Sequence, residues 1–312
     1  MKILITGVHG FVGSNLVKAL SKEHEIFGLD IIAPQKDGVK FTFGWEHLDG
    51  KEIPNVDAII HLAGKAHDTK NQSAAETYFK VNTDLTKKIY DYFLKSSAKK
   101  FIFFSSVKAA ADRVEGEFVD ENVEPKPVGP YGESKIKAEE YIRSLPPSSM
   151  DKDVYILRPC MIHGPGNKGN LNLLYGVVKK GIPWPLGAFE NKRTFTSIDN
   201  LCYIIEGLLT KDVESGVYNI NDDEAVSTNE LIEIICEAMG KKAHIWRIPR
   251  CFMEAFAKLG GLLHLPLNPE RLQKLTENYI SSNAKIKRAL GIEKLPVRAK
   301  DGLYKTIKSF EG

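Results

Sequence analysis

Tyr131 and Lys135 stand four residues apart in Tyr131-Gly132-Glu133-Ser134-Lys135, which places them on one face of a helix. The spacing alone decides nothing, because Tyr175/Lys179 and Tyr304/Lys308 share it. Tyr131 differs in lying downstream of a strand-like run that ends in hydroxyls, Phe103-Phe104-Ser105-Ser106, with Pro130 directly before it as at a helix start. A phenol titrates near 10 in water. A nearby ammonium group and a cationic nicotinamide ring favour the phenolate, which makes Tyr131 a candidate acid/base for a hydroxyl or carbonyl at neutral pH. Ser106 can hydrogen-bond the oxygen that exchanges the proton.

A second constellation suits binding. Gly7, Gly10 and Gly13 fall in Thr6-Gly7-Val8-His9-Gly10-Phe11-Val12-Gly13, directly after the first strand-like run. Glycines so spaced allow a tight turn, close approach of a pyrophosphate and close helix–sheet packing. Phe11 and Val12 begin a helix whose N-terminus offers unpaired N–H groups to phosphate. Asp30 ends the second strand-like run, where a carboxylate accepts from ribose hydroxyls and repels a 2′-phosphate. No arginine follows in Ile31-Ile32-Ala33-Pro34, so NAD is expected as the cofactor rather than NADP.

The elements that must position these groups alternate. Short apolar runs at 2–6, 25–29, 39–43, 58–63, 101–105 and 154–157 read as strands buried on both faces. Helical stripes lie between them: Val12, Leu16, Val17 and Leu20, then Phe79, Val81, Leu85, Ile89, Tyr92 and Phe93. The expected fold is α/β, a doubly wound parallel sheet with a smaller C-terminal α/β lid. Residues 1–166 form the nucleotide-binding domain, completed by about 194–222, where two further strands (194–198 and 217–220) return to it. Residues 167–193 and 223–312 form the lid. Ser227-Thr228-Asn229-Glu230 reads as a capping box.

The 312 residues are 43% hydrophobic and 27% charged, ordinary for a globular chain. Lys and Arg total 43 against 40 Asp and Glu, a net charge of +3, which gives no argument for nucleic acid or an anionic membrane. Cys160, Cys202, Cys236 and Cys251 form no CxxC pair, so neither a metal cluster nor a disulfide framework is expected, and a reducing cytoplasm is the simpler setting. The N-terminal apolar run is too short for a secretory core. The stretch 251–267 is the most apolar of the later chain, but Glu254, Lys258, Gly260, Gly261, His264 and Pro266 interrupt it, and it cannot span a bilayer.

With these motifs in order, the chain resembles the extended short-chain dehydrogenase/reductases, in their NAD-dependent epimerase/dehydratase group. The resemblance runs over nearly the whole chain, through His61-Leu62-Ala63-Gly64, Val81-Asn82, Ser105-Ser106, Pro130-Tyr131, Leu157-Arg158-Pro159, Gly164-Pro165-Gly166, Asn191-Lys192-Arg193 and Asp199-Asn200-Leu201. It implies that Tyr131 is the acid/base, that Lys135 holds the nicotinamide ribose and lowers the Tyr131 pKa, and that Ser106 binds the reacting oxygen. Asn82 would support the active-site water and backbone network, and Leu62, Ala63 and Gly64 would line the cofactor channel. Arg193 would grip the diphosphate of a nucleotide sugar, with Arg271, or else Arg247, as a second phosphate contact and Asn170 beside the substrate. It further implies a homodimer through the helices at about 74–95 and 131–144, where Tyr90, Tyr92, Phe93 and Tyr141 are either anchors or core.

The chain departs from the family at Gly44-Trp45, where an adenine-binding Asp is common, at Met161 in place of Asn, and at His163 in place of Tyr. Dehydratases of the family carry an acidic pair beside the Ser/Thr, whereas Val107-Lys108-Ala109 follows here, which disfavours water loss. The resemblance then leads to a 4-epimerase of a UDP-hexose or UDP-N-acetylhexosamine working through a 4-keto intermediate as the first expectation. The alternatives are an NAD(P)H-dependent 4-keto reductase of a UDP-4-keto-6-deoxy-sugar and a non-catalytic NAD-binding regulator.

Overall fold

The computed structural model describes residues 1–50, 52–66, 74–149, 151–167, 169–263 and 267–311, without the side chain of Asn170. Seven strands make one parallel sheet: β1 (Lys2–Thr6), β2 (Glu25–Leu29), β3 (Val39–Phe43), β4 (Ala58–His61), β5 (Lys100–Phe104), β6 (Asp153–Pro159) and, last in sequence, β9 (Gly216–Ile220). Their order is β3-β2-β1-β4-β5-β6-β9. The central strands are apolar between their ends because helices cover both faces. Ile3, Leu4, Ile5, Ile59, Ile60, Phe101, Ile102 and Phe103 are all sealed from solvent. The chain leaves β1 towards β2 on one side and later enters β4 on the other. The crevice at the carboxyl ends of β1 and β4 is therefore the topological switch point, where such sheets bind ligands.

One expected strand goes elsewhere. Segment 217–220 does close the large sheet, but Phe195–Ser197 (β8) pairs in parallel with Met161–His163 (β7) in a separate two-stranded sheet. The reason is the continuation of the chain past β6: after Pro159 it bends at Cys160 and offers a fresh edge at Met161. His163, the substitute for a tyrosine, is buried there with Nδ1 on the Thr306 hydroxyl at 2.9 Å, a packing role.

The helices Phe11–Leu20 and Ile198–Thr210 pack on one face of the sheet, and Ile286, Leu290 and Leu295 join that core. Leu85–Lys95 and Gly129–Ser144 cover the other face. A second core gathers Leu171, Tyr175, Trp184, Leu231, Ile235, Met253, Leu272, Leu303 and Ile307. The capping box forms, with Ser227 and Glu230 bonding each other's backbone N–H groups.

Candidate active site

The turn after β1 is built for close approach. Gly7 has φ of 70°, and a Cβ on it would lie 3.0 Å from the backbone of Ala63. A Cβ on Gly13 would come within 2.8 Å of Val8 Cα and also collide with the Gly7 carbonyl, so the helix could not seat against the turn. Gly10 is the N-cap of the helix Phe11–Leu20, and no side chain caps it, which leaves the first-turn N–H groups for a ligand. Asp30 is fixed at the carboxyl end of β2: Oδ2 accepts from His9 N at 3.0 Å and Oδ1 from Ile31 N at 2.7 Å. Beyond it a cavity of about 480 Å³ is lined by Asp30, Ile31, Phe41, Gly44 and Trp45. An open helix N-terminus, an anchored carboxylate and a recess of mixed lining with the Trp45 ring in it, in that order, fit the pyrophosphate, ribose and adenine of NAD. Trp45 supplies an aromatic wall where an aspartate was expected from the family.

The turn Leu62-Ala63-Gly64 is wedged between this loop and Lys135. The Leu62 and Ala63 amides donate to the Thr6 hydroxyl at 3.1 and 3.0 Å. Thr6 in turn donates to His61 Nδ1 at 2.7 Å, while His61 Nε2 donates to Thr86 at 2.9 Å and Thr86 to the Asn82 carbonyl at 2.6 Å. Burial, with the Lys135 charge adding to it, pushes His61 down to about 3, so this imidazole is a neutral structural link. A Cβ on Gly64 would lie 3.0 Å from Asn82 Oδ1 and 3.2 Å from Lys135 Nζ, contacts that glycine alone avoids.

Asn82 reaches this position through a widened turn. Residues Phe79–Asp84 are π-helical, between the α-helical Ala75–Tyr78 and Leu85–Lys95. The extra residue breaks the regular stripe expected from Phe79 to Phe93 and turns Asn82, Thr83 and Thr86 inward. Asn82 Oδ1 accepts from Lys65 N at 2.7 Å, and Nδ2 donates to the Lys65 carbonyl and to Ser134 Oγ.

The helix Gly129–Ser144 lies across the end of β5 in a fixed register. Lys135 Nζ donates to the Phe104 carbonyl at 2.8 Å, and Ser105 donates to Glu139 Oε1 at 2.5 Å. Ser106 hydrogen-bonds the Tyr131 phenol. Three consecutive residues, 104 to 106, thus hold three successive turns of the helix, at 139, 135 and 131. Gly132 permits the contact, since a Cβ there would lie 2.5 Å from the Lys108 carbonyl. Ser106 also accepts from Lys108 N at 3.2 Å, which orients its hydroxyl.

Burial dominates the electrostatics. It raises the Tyr131 phenol above its ordinary 10, with the Ser106 hydrogen bond pulling the other way. The Lys135 ammonium is turned to the Phe104 carbonyl, and burial brings it from 10.5 down to about 8 against the opposing charge of Glu139.

Arg193 stands just before β8, with Nη1 donating to the Lys274 carbonyl at 2.6 Å and its backbone bridging Val226 and Tyr279. Burial lowers its pKa and the Glu277 charge raises it. Tyr279 links it to the strand end, since its hydroxyl donates to the Ala111 carbonyl at 2.7 Å and Lys108 Nζ sits 4.6 Å over its ring. Arg271 is exposed on the helix Pro269–Thr276, and Arg247 is exposed as well. Asn170 opens the helix Asn170–Lys179, and its side chain lies outside the described residues. Tyr90 and Phe93 are core residues, not surface anchors, while Tyr92 and Tyr141 are half-buried.

Sequence reasoning missed Glu139 and Arg158. Arg158 is a cation in the buried half of β6, and a cation buried there needs a carboxylate partner. The only acid on the inward face of the Tyr131/Lys135 helix, one turn on, is that partner.

A model of the NAD dependent epimerase/dehydratase family matches residues 3–221. The chain is 31% identical, over 99% of its length and 95% of the relative's, to a UDP-glucose 4-epimerase of Vibrio cholerae. It is 27% identical, over 92% of its length and 84% of the relative's, to the N-acetyl-alpha-D-glucosaminyl-diphospho-ditrans,octacis-undecaprenol 4-epimerase of Escherichia coli O157:H7. Its fold matches that of the UDP-glucuronic acid 4-epimerase from Bacillus cereus in complex with NAD, with a TM-score of 0.74 at 21% identity over 100% of this chain and 99% of that one.

Proposed function

Since the chain belongs to the NAD dependent epimerase/dehydratase family, we propose that it is a nucleotide-sugar 4-epimerase acting on a UDP-hexose or UDP-N-acetylhexosamine through a 4-keto sugar. The observation that carries this reading is the register of Ser106, Tyr131 and Lys135 at the mouth of the switch-point crevice, with Val107-Lys108-Ala109 and no acid beside Ser106. Bound NAD supplies the hydride acceptor at C4 and the hydride that returns. Gly7, Gly10, Phe11, Val12 and Gly13 would hold its pyrophosphate, Asp30 its adenosine ribose, and Leu62, Ala63 and Gly64 the channel wall.

Lys135 has two ammonium N–H bonds left after Phe104 and offers them to the nicotinamide ribose. Ser106 holds the C4 oxygen. Tyr131 takes the C4 hydroxyl proton in one half-reaction and restores it in the other, with the sugar presenting its opposite face. Asn82 keeps the Lys65 and Ser134 groups fixed around that centre. Arg193 faces the diphosphate, with Asn170 and Arg271 as further lid contacts. In this reading 1–166 with about 194–222 carries the cofactor, and 167–193 with 223–312 carries the substrate. Four unpaired cysteines suit a cytoplasmic enzyme. Two copies would pair through the 74–95 and 131–144 helices with Tyr92 and Tyr141 at the contact.

The test is incubation of the purified protein with UDP-sugars and no added nicotinamide. Interconversion of C4 epimers is expected. Oxidation of NAD(P)H seen only with a 4-keto-6-deoxy sugar would replace the reading by a reductase. NAD binding with neither reaction would make it a non-catalytic regulator.

A further inference from the structure

The helix Arg250–Leu262 has two apolar faces. Met253, Ala257 and Gly260 are buried against the second core. The other face points outward: Phe252, Phe256 and Leu259 follow at helical spacing, Leu263 continues the row just past the helix end, and Leu262 lies beside it. These five side chains are between 50% and 75% exposed, and Trp246, just before the helix, is 56% exposed. No stretch of similar length among the described residues shows as many large apolar side chains to solvent.

The charges around this row have one dominant sign. Arg247 and Lys258 are exposed beside it, and Lys241 and Lys242 precede it, while Arg250 turns to the Ala188 carbonyl and the Phe189 ring. Within 246–263 the acid is Glu254 alone. On the helix, Lys258 flanks the apolar row rather than interrupting it, the arrangement that lets a long side chain reach headgroups while aromatic and leucine side chains enter the acyl boundary.

We propose that this face docks on the surface of an anionic lipid bilayer, with the helix lying in the headgroup plane. A second copy of the chain fits less well. Pairing the same face on itself would bring the Arg247 and Lys258 of both copies together with one glutamate each. Among the described residues no helix is long and apolar enough to cross a membrane, so the contact is peripheral. The balanced charge of the whole chain is no obstacle, because the attraction is local to the patch. The docked helix belongs to the lid. Gly261 lets it abut Pro269 of the next helix, and that helix carries the Lys274 carbonyl bonded by Arg193. Docking therefore holds the lid, and not the sheet, against the membrane. The inference does not depend on which sugar the site turns over.

The experiment is co-sedimentation of the full chain with vesicles of phosphatidylcholine alone or mixed with phosphatidylglycerol. Binding is expected to the mixed vesicles, weakened by salt, and reduced roughly tenfold or more by Phe256→Glu with Leu259→Glu, or by Arg247→Glu with Lys258→Glu. In the unsubstituted chain a blue shift of Trp emission on adding mixed vesicles, absent in Trp246→Phe, reads the same contact without risk to folding. No binding to mixed vesicles at low salt overturns the proposal. So does binding that all four substitutions leave unchanged, or a dimer in sedimentation velocity that the Phe256/Leu259 pair abolishes while vesicles never bind.

Discussion

Arg158 grips Glu139 with two parallel hydrogen bonds, Nε to Oε1 at 3.0 Å and Nη2 to Oε2 at 2.6 Å, with both side chains sealed from solvent. Ser105 shares Oε1, so the pair ties β5, β6 and the Tyr131/Lys135 helix at one point. Removing one partner strands a buried charge, which costs about 3–5 kcal/mol. Arg158→Met is therefore expected to lower the thermal midpoint sharply. Arg158→Met with Glu139→Leu is expected to recover much of the loss, since the isolated charge is gone. Differential scanning calorimetry of the two variants and the unsubstituted protein checks this; three equal midpoints would show the pair to be unimportant.

Tyr131→Phe removes the proton carrier and leaves the packing against Tyr78 in place. The expected result is a fall in kcat of about 100-fold to 10,000-fold with NAD binding retained. Unchanged turnover would exclude Tyr131 as the acid/base.

Lys135 gives a pH signature. Its folded pKa is about 8 against an ordinary 10.5, so between these values the unfolded chain holds a proton that the folded chain has released. Stability linked to this group therefore rises with pH across that window, from a burial penalty that is fully present below about 8. Compared with Lys135→Met, the unsubstituted protein should gain relative stability from pH 8 to pH 10.5 in urea titrations. In Glu139→Gln the opposing charge is lost, the Lys135 pKa falls further, and any alkaline limb of the activity profile moves to lower pH.

Asp30→Asn keeps the shape and removes the charge. Weaker NAD binding is expected, together with a narrowing by roughly tenfold of the discrimination against NADP, both read by isothermal titration. Retained discrimination would assign it to other residues of the cavity.

The sheet was legible because strands buried on both faces spell themselves as unbroken apolar runs, and the glycine turn because φ of 70° at Gly7 and the close packing of Gly13 demand that residue type. The juxtaposition of Ser106 with the helix carrying Tyr131 and Lys135 was legible from the hydroxyl-ended strand upstream of Pro130. Other features depend on partners distant in sequence. β8 found its mate in Met161–His163, and Arg158 could be paired only once the helix was laid over β6. The apolar character of the stretch near 251–267 was legible in its composition. Its division into an inward and an outward row needed the helix axis.

The π-helical turn at Phe79–Asp84 makes this chain's competence separable from its foldedness. Deleting one residue there would restore a regular helix and leave every strand in place, while rotating Asn82 by roughly 100° away from Lys65 and Ser134. The product would express, fold and carry the same family signature, with the wiring between the β4 turn and Ser134 cut. Homologous chains that lack the extra residue at this turn are where loss of function should be sought first.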